Sequence, residues 1–600
     1  MDEYIEELCA LYSVSKLKIL QDLLLISNSD NCNLKLTPKI EDFSKDVKTR
    51  IITAIYKIIS EEKFTNKKIF IVYGNYEPIR EALFARGWIE KLPSHRQSDL
   101  QAQVLESVIT HANKGNLYES VALSKVLEEY PANFIWQYEC MPDVNNGIVP
   151  YRNRIRHINN QNFTRKTGLL NCFEQNLWYK QEGLSNMICP RAYRLNDGNP
   201  GELTAFINDY RQTQCRNLIK FLWDKLKNPK LVFDENKGTV PKNILKHAVN
   251  CLQNQAKKKF LDDNISVGED PIWVNFIKMS DNIIHKKAKL KITYEKLYEL
   301  TENGMQFLHK ITNKHKDYDW DGLCNIWILK PSCQSCGAGI VVSRSLYQIV
   351  KTTQRNPNKS YIIQKYLEHP LLIHDTKFDI RVYMLLTIDE CFLSIWIYKD
   401  CYLRFSSTKY TLQNLEEQVH LTNHSVQKKY PISTKRTALL PENNMWSLAE
   451  FQSYLKSNNL GDKWVSKIYP EMKENLTALI MSGSQQMKYK KGSFHLYGCD
   501  FMLSNNFDTI FIEINNSPDL SSSTTTTKIV CSNVMQDLVR VVVDLPEDAQ
   551  APTGDFELVH KIKYQPYNKN LRQGIVITGE ILPLTPLKSK PNLDLNIKRK

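Results

Sequence analysis

Residues 495–515 read HLYGCDFMLSNNFDTIFIEIN: two runs rich in apolar, aromatic and β-branched residues on either side of a polar turn. That pattern predicts a β-hairpin. With the turn at Asn505 to Asp508, Ser504 opposes Thr509, and counting back sets Asp500 opposite Glu513. Directly opposed residues of an antiparallel pair share a face. Side chains alternate along a strand, so Glu513 and Asn515 share that face while Ile512 and Ile514 share the other. Asp500, Glu513 and Asn515 therefore converge as hard oxygen donors of the kind Mg2+ takes. Two carboxylates set opposite each other destabilise a bare sheet, and a divalent cation between them removes that cost. A solvated polar face is the plainer alternative. The apolar opposite face and the Asn-Asn-Ser-Pro turn at 515–518 favour the metal site.

Upstream, LIHDTKFDIRVYML (372–385) repeats the alternation. Lys377, Asp379 and Arg381 occupy one face, and Phe378, Ile380 and Val382 the other. A salt-bridge ladder is one reading of the charged face. The functional reading is a floor for a phosphorylated ligand, because lysine and arginine both suit phosphate oxygens. ILKPSCQSCGAGI (328–340) ends a strand at Lys330 and opens a loop closed by Gly337 and Gly339, whose backbone N–H groups can approach phosphates. Neither GxxxxGK[ST] nor GxGxxG is present there. YIIQKYLEHP (361–370) offers a strand end that would present Gln364, Lys365 and Tyr366 to a flat base. Together these pieces imply a nucleotide between two β-layers, lysines on its phosphates and Mg2+ on a carboxylate pair. That is the ATP-grasp arrangement, an α/β ligase fold.

The chain has 600 residues, 42% hydrophobic and 24% charged, a soluble and multi-domain composition. Lysine plus arginine number 79 against 65 acidic residues, leaving +14, which favours an acidic partner. No apolar run reaches the ~18 residues of a membrane span. The start, MDEYIEELCALYSV, is acidic, so neither a secretory signal nor a transit peptide is expected. Among 14 cysteines there is one CxxC, Cys333 and Cys336, without a second pair to complete a zinc site.

The patterning predicts a helical extension at 1–65, with IITAIYKIISEEKF (51–64) as an amphipathic helix. A first α/β domain follows at 66–230, beginning with strand KKIFIVYG and helix PIREALFARGW. Residues 93–135 read as polar helix, and 140–165 as irregular and then basic. A mostly helical linker occupies 231–322. The central and C-terminal ATP-grasp domains occupy 323–376 and 377–545, and a partly ordered basic tail occupies 546–600.

NIWILKP, YIIQKYLEHPLLIHDTKFDIR, YLRFSS, HLTN and FIEINNSP resemble the tubulin tyrosine ligase-like family. KKIFIVYGNYEPIREALFARGWIEKLP, ANFIWQYE, FTRKTGLLNCF, PRAYRLNDGNPGELTAFINDYR, NMWSLAEFQSYL and FHLYGCDFML resemble its glycylase branch in particular. The resemblance runs from about residue 68 to about residue 560. It implies phosphate contact by Lys330 and an adenine hinge at Gln364, Lys365, Tyr366 and Leu367. Lys377, Phe378, Asp379 and Arg381 match the catalytic strand, Arg404 the arginine near the acceptor carboxylate, and Thr422 and Asn423 residues beside the nucleotide. Asp500, Glu513 and Asn515 match the Mg2+ ligands, and Arg165 and Lys166 a stretch lining the acceptor groove. The implied reaction activates a glutamate side chain in an acidic tubulin tail as an acyl phosphate with ATP, and glycine then attacks to form an isopeptide. The implied setting is cytoplasmic and cytoskeletal, with cilium or flagellum axonemes. The protein is expected to be a monomer that inserts in no membrane and binds no nucleic acid. One departure stands out. The family's phosphate loop runs S-R-G-R-G-I, whereas here Cys336 and Ala338 replace both arginines beside Gly337 and Gly339. A second reading follows from it: a weakened or inactive microtubule-binding member. A third is glycylation of a non-tubulin acidic protein.

Overall fold

The computed structural model describes residues 68–563, apart from 94–95, 104–106, 109–110, 112–115, 128–131, 137–150, 153–160, 176–187, 199, 258–269, 314–317, 319–320, 335–336, 390, 485–486 and 488–490. The predicted helix at 51–64, the tail beyond Lys563 and Cys336 lie outside the described residues.

Strand β1 (Ile69–Val72) is buried along its whole length, as a strand covered on both faces must be. Helix α1 (Glu77–Ala85) follows, with a proline in its first turn and Ile79, Ala82 and Leu83 turned to the core. Strands β2 (Ile89–Glu90), β3 (Phe134–Trp136) and β4 (Tyr151–Arg152) complete a four-stranded parallel sheet ordered β2-β1-β3-β4. Phe134 to Trp136 corrects the reading of 93–135 as helical throughout. Two buried aromatic side chains on one face make this run a strand beside β1. Arg86 clasps Asp544 with two hydrogen bonds (2.6 and 2.5 Å), tying the end of α1 to a segment 458 residues away.

Helix α2 (Lys166–Gln175) leads toward β5 (Ala192–Leu195) and the long helix α3 (Pro200–Lys225). A helical block follows. It contains α4 (Asn243–Ala256), α5 (Pro271–Lys286) and α6 (Tyr294–Thr312), packed on α3 through residues such as Leu222, Leu245, Phe276 and Leu297. Among the described residues, no helix is long and apolar enough to cross a membrane.

Strands β6 (Trp327–Pro331), β7 (Val341–Ser343) and β8 (Tyr361–Lys365) join β5 in an antiparallel sheet ordered β5-β8-β6-β7. Trp327, Leu329, Tyr361 and Ile363 pack on Phe206 and Tyr210 of α3. By alternation, Ile328, Lys330 and Gln364 face the opposite way.

The third sheet has seven strands. Its backbone is β10 (Thr376–Ile388) and β11 (Phe392–Phe405), paired as a long hairpin. β9 (Leu372–Ile373) pairs with β10, and β12 (Met445–Ser447) with β11. β13 (Phe494–Leu503) and β14 (Thr509–Asn515) form the predicted hairpin beside β10. Helix α7 (Thr525–Val539) packs behind the sheet, in a core that also holds Phe70, Trp136, Leu385 and Leu496. β15 (Phe556–Lys563) pairs with β11 and is the ordered part of the predicted tail. The molecule is thus an α/β fold of separate sheets, the first parallel and the second and third antiparallel, and the second and third sheets do not close on one another.

The hairpin register differs from the count in an instructive way. Leu503, not Ser504, opposes Thr509, so pairing starts one residue off. A bulge between the Phe501–Phe511 and Asp500–Glu513 pairs leaves Ile512 as an extra residue and restores the phase. Asp500 opposes Glu513 as expected, and Asn515 lies two residues on, opposite Gly498.

Candidate functional site

Three directly opposed pairs align across four neighbouring strands of the third sheet: Arg404 with Asp379, Arg381 with Asp500, and Asp500 with Glu513. Asp379 and Arg381 are two apart on β10, so all five side chains share one face. The alternation that points Phe378 into a ring cluster with Phe405 and Phe451 sends these charges the other way.

The charges form a closed network rather than a row of free cations. Arg381 Nε and Nη2 donate to Asp500 Oδ1 (2.5 Å) and Oδ2 (3.2 Å). Arg404 Nε and Nη2 donate to Asp379 Oδ1 (2.6 Å) and Oδ2 (2.8 Å), and Nη2 also lies 2.9 Å from Asp500 Oδ2. Thr422 Oγ1 adds a hydrogen bond to Asp379 Oδ2 (2.5 Å). Exposure is only 6% for Arg381, 5% for Arg404, 4% for Asp379 and 2% for Asp500, so water screens these pairs little. Burial pushes the Asp500 carboxyl up, yet Arg381 and Arg404 outweigh it and hold the group below its ordinary range. Burial likewise opposes the charge on Arg404, and Asp379 and Asp500 more than restore it. Nη1 of each arginine makes no hydrogen bond to a described residue, so both keep donors to offer.

This network separates two concavities. The inner one has a volume of about 90 Å3 and lies between the second and third sheets. Lys330, Gln364, Lys377, Asp379, Asp500 and Glu513 give it polar walls, and Ile328, Leu421, Met502 and Ile510 give it apolar ones. The outer cleft, about 440 Å3, is bordered by Arg381, Arg404, Asn515 and Asp519 and, from the first sheet's side, by Gly74 to Tyr76. Asn423 borders both.

The two inner lysines are held differently. Lys330 Nζ donates to Gln364 Oε1 (2.8 Å), and burial lowers its pKa, with Glu513 resisting. Lys377 Nζ donates to Tyr366 Oη (2.8 Å) and to the His420 carbonyl (2.6 Å). Burial lowers the Lys377 pKa to about 7, countered by Asp379 and assisted by Lys330. Tyr366 Oη lies 2.8 Å from His420 Nδ1, and His420 Nε2 lies 2.7 Å from the Asn414 carbonyl. A carbonyl only accepts, so Nε2 carries the imidazole proton and Nδ1 accepts from the tyrosine. Burial, with Lys377 nearby, lowers the His420 pKa to about 4.

Not every sequence-predicted residue meets the cavity as expected. Lys365 lies on the opposite face of β8 from Gln364, and its ammonium binds Glu368 and the Ile326 carbonyl (both 3.0 Å). Only the Lys365 backbone is left to meet a base. Tyr366 and Leu367 do line the inner cavity. Phe378 faces the core, away from it. Gly337 lines the cavity with φ +76, and a Cβ there would meet Val426 at 2.7 Å. Gly339 turns the loop at φ +69 behind the cavity wall. Thr422 and Asn423 line the inner cavity. Lys166 reaches the phosphate loop, donating to the Gln334 carbonyl (2.6 Å) at the rim of the inner cavity. Arg165 is exposed, and its side chain makes no hydrogen bond or ion pair with a described residue. His420 was overlooked, although it opens the HLTN segment. A lone histidine among apolar residues reads as core, and only its neighbours Thr422 and Asn423 signal otherwise.

The oxygen donors suit a Mg2+ ion in kind. Asp500 Oδ1 accepts one hydrogen bond, and Glu513 accepts none from a described residue. Asn515 turns its amide nitrogen, not its oxygen, to Asp500 Oδ2 (3.2 Å), so ligation through Oδ1 requires the amide to turn over. Among the described residues, no three His, Cys, Asp or Glu side chains gather as a metal cluster. A cation here would therefore rest on one or two carboxylates and on ligand oxygens, the habit of Mg2+.

Comparison with known sequences accords with this geometry. The chain is 43% identical to Tubulin glycylase 3B of Drosophila melanogaster over 526 residues, covering 86% of this chain and 69% of that protein. It is 30% identical to Protein monoglycylase TTLL8 of Mus musculus, covering 86% and 66%. It is 31% identical to Tubulin monoglycylase TTLL3 of Mus musculus, covering 84% and 60%. The chain thus spans between 60% and 69% of the length of these relatives. The sequence profile of the Tubulin-tyrosine ligase family matches residues 249–551, which include the lysines, the ion network and the carboxylate hairpin. The chain belongs to the tubulin-tyrosine ligase family.

Proposed function

We propose that this chain is an ATP- and Mg2+-dependent ligase that joins glycine to glutamate side chains in the acidic tails of tubulin. The observation that carries the reading is the Arg381–Asp500–Arg404–Asp379 network standing between an inner cavity lined by lysines and an outer cleft. Such a wall lets a phosphate donor and a pair of acyl and amine substrates meet from opposite sides. The names of the relatives support glycine and tubulin as the substrates.

In this reading the second and third sheets act as the two ATP-grasp layers, over 323–376 and 377–545. ATP would supply the phosphoryl group that activates the acceptor carboxylate as an acyl phosphate, with Mg2+ on Asp500, Glu513 and Asn515. The chain's own residues do the rest. The apolar walls at Ile328, Leu421, Met502 and Ile510 suit a flat base. Lys330 and Lys377 offset phosphate charge where water is scarce. The free Nη1 groups of Arg381 and Arg404 orient the acceptor carboxylate. Nucleotide pockets commonly exceed ~300 Å3, so the contact between Lys166 and Gln334 at the rim must yield for entry. The basic excess matches an acidic acceptor, and a cytoskeletal and axonemal setting follows from tubulin as substrate.

The test is purified protein with tubulin, ATP and labelled glycine, and with glutamate and non-tubulin acidic proteins as parallel arms. Glycine incorporated into tubulin tails supports the reading. Incorporation only into another acceptor replaces tubulin. Microtubule binding without incorporation establishes the second reading, which Cys336 and Ala338 favour because Ala338 lines the inner cavity where the family places arginine.

A further inference from the structure

We infer that Asp519 holds the amine of the incoming amino acid and accepts its proton during bond formation, an inference that rests on the ligase reading above. Asp519 is the sole carboxylate on the wall of the outer cleft, among the described residues. Arg381, Arg404, His424, Tyr76 and Tyr402 share the cleft wall with it, and Cys531 lies within its field. An amino acid is a zwitterion, so its ammonium needs an anion there, and its carboxylate has cations to choose from.

The position of Asp519 is fixed without using up its charge. Oδ1 accepts from the Ser521 backbone N–H (2.9 Å), an Asx-type turn, and Tyr383 Oη donates to its backbone carbonyl (3.4 Å). Oδ2 makes no hydrogen bond to a described residue. The neighbouring Pro518 and the Arg381 fork both flank Gly498. A Cβ placed on Gly498 would lie 2.8 Å from Pro518 Cβ and 3.1 Å from Arg381 Nη1. The carboxylate is therefore anchored one residue from Pro518, which shares the space over Gly498 with the Arg381 fork. Its field is felt around the cleft, since burial and then Asp519 push the Tyr76 phenol up to about 12.

The chemistry balances. The amine nitrogen forms its bond to the carbonyl carbon of the activated acceptor. The bond from that carbon to the phosphate oxygen breaks, and phosphate leaves with the electron pair. The ammonium gives one proton to Asp519, and on to solvent, to free the lone pair that attacks, and the second N–H proton lost as the amide forms leaves with the phosphate.

Asp519→Asn and Asp519→Ala are the test variants, compared with wild type on full-length protein. Asp519 lies in an exposed loop, and nucleotide affinity verifies that each variant is folded. The expected result is a fall of about 100-fold in kcat/KM for glycine, the scale of a lost general base, and loss of the acidic limb of the pH–rate profile. Hydroxylamine, a neutral amine with no carboxylate, should trap the activated acceptor equally well in wild type and variants. An unchanged glycine kcat/KM and pH profile overturn the inference, as does equal loss of hydroxylamine trapping, which would place Asp519 before amine attack. A wild type that neither binds nor incorporates glycine overturns this inference together with the ligase reading.

Discussion

Arg404 holds Asp379 through two parallel hydrogen bonds of 2.6 and 2.8 Å, made where the two residues stand directly opposite on adjacent strands. Both side chains are buried, so each is the other's main compensation for lost hydration. Arg404→Ala leaves Asp379 without its fork and is expected to cost about 3–5 kcal/mol, read as a lower urea midpoint. Arg404→Lys keeps the charge and loses the bidentate geometry. It should retain much of the stability while glycine incorporation falls steeply. A lysine variant with full activity would show that the fork has no catalytic part.

Lys377 gives the site a pH dependence of defined sign. Its pKa is lowered from 10.5 to about 7. Between those values the unfolded chain carries a proton that the folded chain lacks, so stability rises with pH across that window. Lys377→Met should flatten that rise. A bound polyanion favours the charged lysine, so nucleotide binding near pH 8 should take up a proton. Calorimetry in buffers of different ionisation enthalpy measures this uptake, and Lys377→Met should abolish it.

Gly498 lies under the arginine network, opposite Asn515. A methyl group there meets Pro518 at 2.8 Å and Arg381 Nη1 at 3.1 Å. Gly498→Ala is therefore expected to displace the Arg381 fork and cost about 1–3 kcal/mol by overpacking. Activity should drop further than stability alone explains, measured as glycine incorporation at a temperature where the variant stays folded.

The phosphate loop yields the opposite kind of prediction. Ala338 lines the inner cavity, and an arginine there restores a cation that the family has. A charge-assisted hydrogen bond contributes about 1.5–3 kcal/mol. Ala338→Arg, alone or with Cys336→Arg, should therefore raise the ligation rate by about tenfold or more per arginine. No increase in either variant would mean that other cations, Lys166 and Lys330 among them, already serve the loop.

The strands were legible in the sequence wherever alternation or an apolar run was strong. KFDIR, YIIQK and the Asp500 hairpin stand where the alternation predicts strands, and Lys377, Asp379 and Arg381 share one face as read, whereas the bulge takes Ile512 off the apolar face to line the inner cavity. The short strand at Phe134–Trp136 was missed because three residues carry too little periodicity to outweigh polar helical surroundings. The side chain of Lys365 was assigned to the cavity because the hinge was read as a unit, whereas alternation reverses its direction from that of Gln364. Least visible was the commitment of Arg381 to Asp500, 119 residues away, because no local pattern reveals which cation meets which carboxylate. The family resemblance located the same residues but gave Arg381 to a catalytic strand and Asp500 to a metal ion. The structure shows them first as partners of one another.

Ile512 carries no reactive group, yet the anionic pole of the site depends on its being bulged out of the ladder. Were Ile512 instead paired in regular register with Asp500, strand parity would set Glu513 opposite Cys499 on the hydrophobic side, and the carboxylate pair would be lost with every reactive residue still in the chain. The identity of Asp500 and Glu513 is thus insufficient to certify such a site in a related sequence. The number of residues between them, and where the surplus one sits, is part of the code.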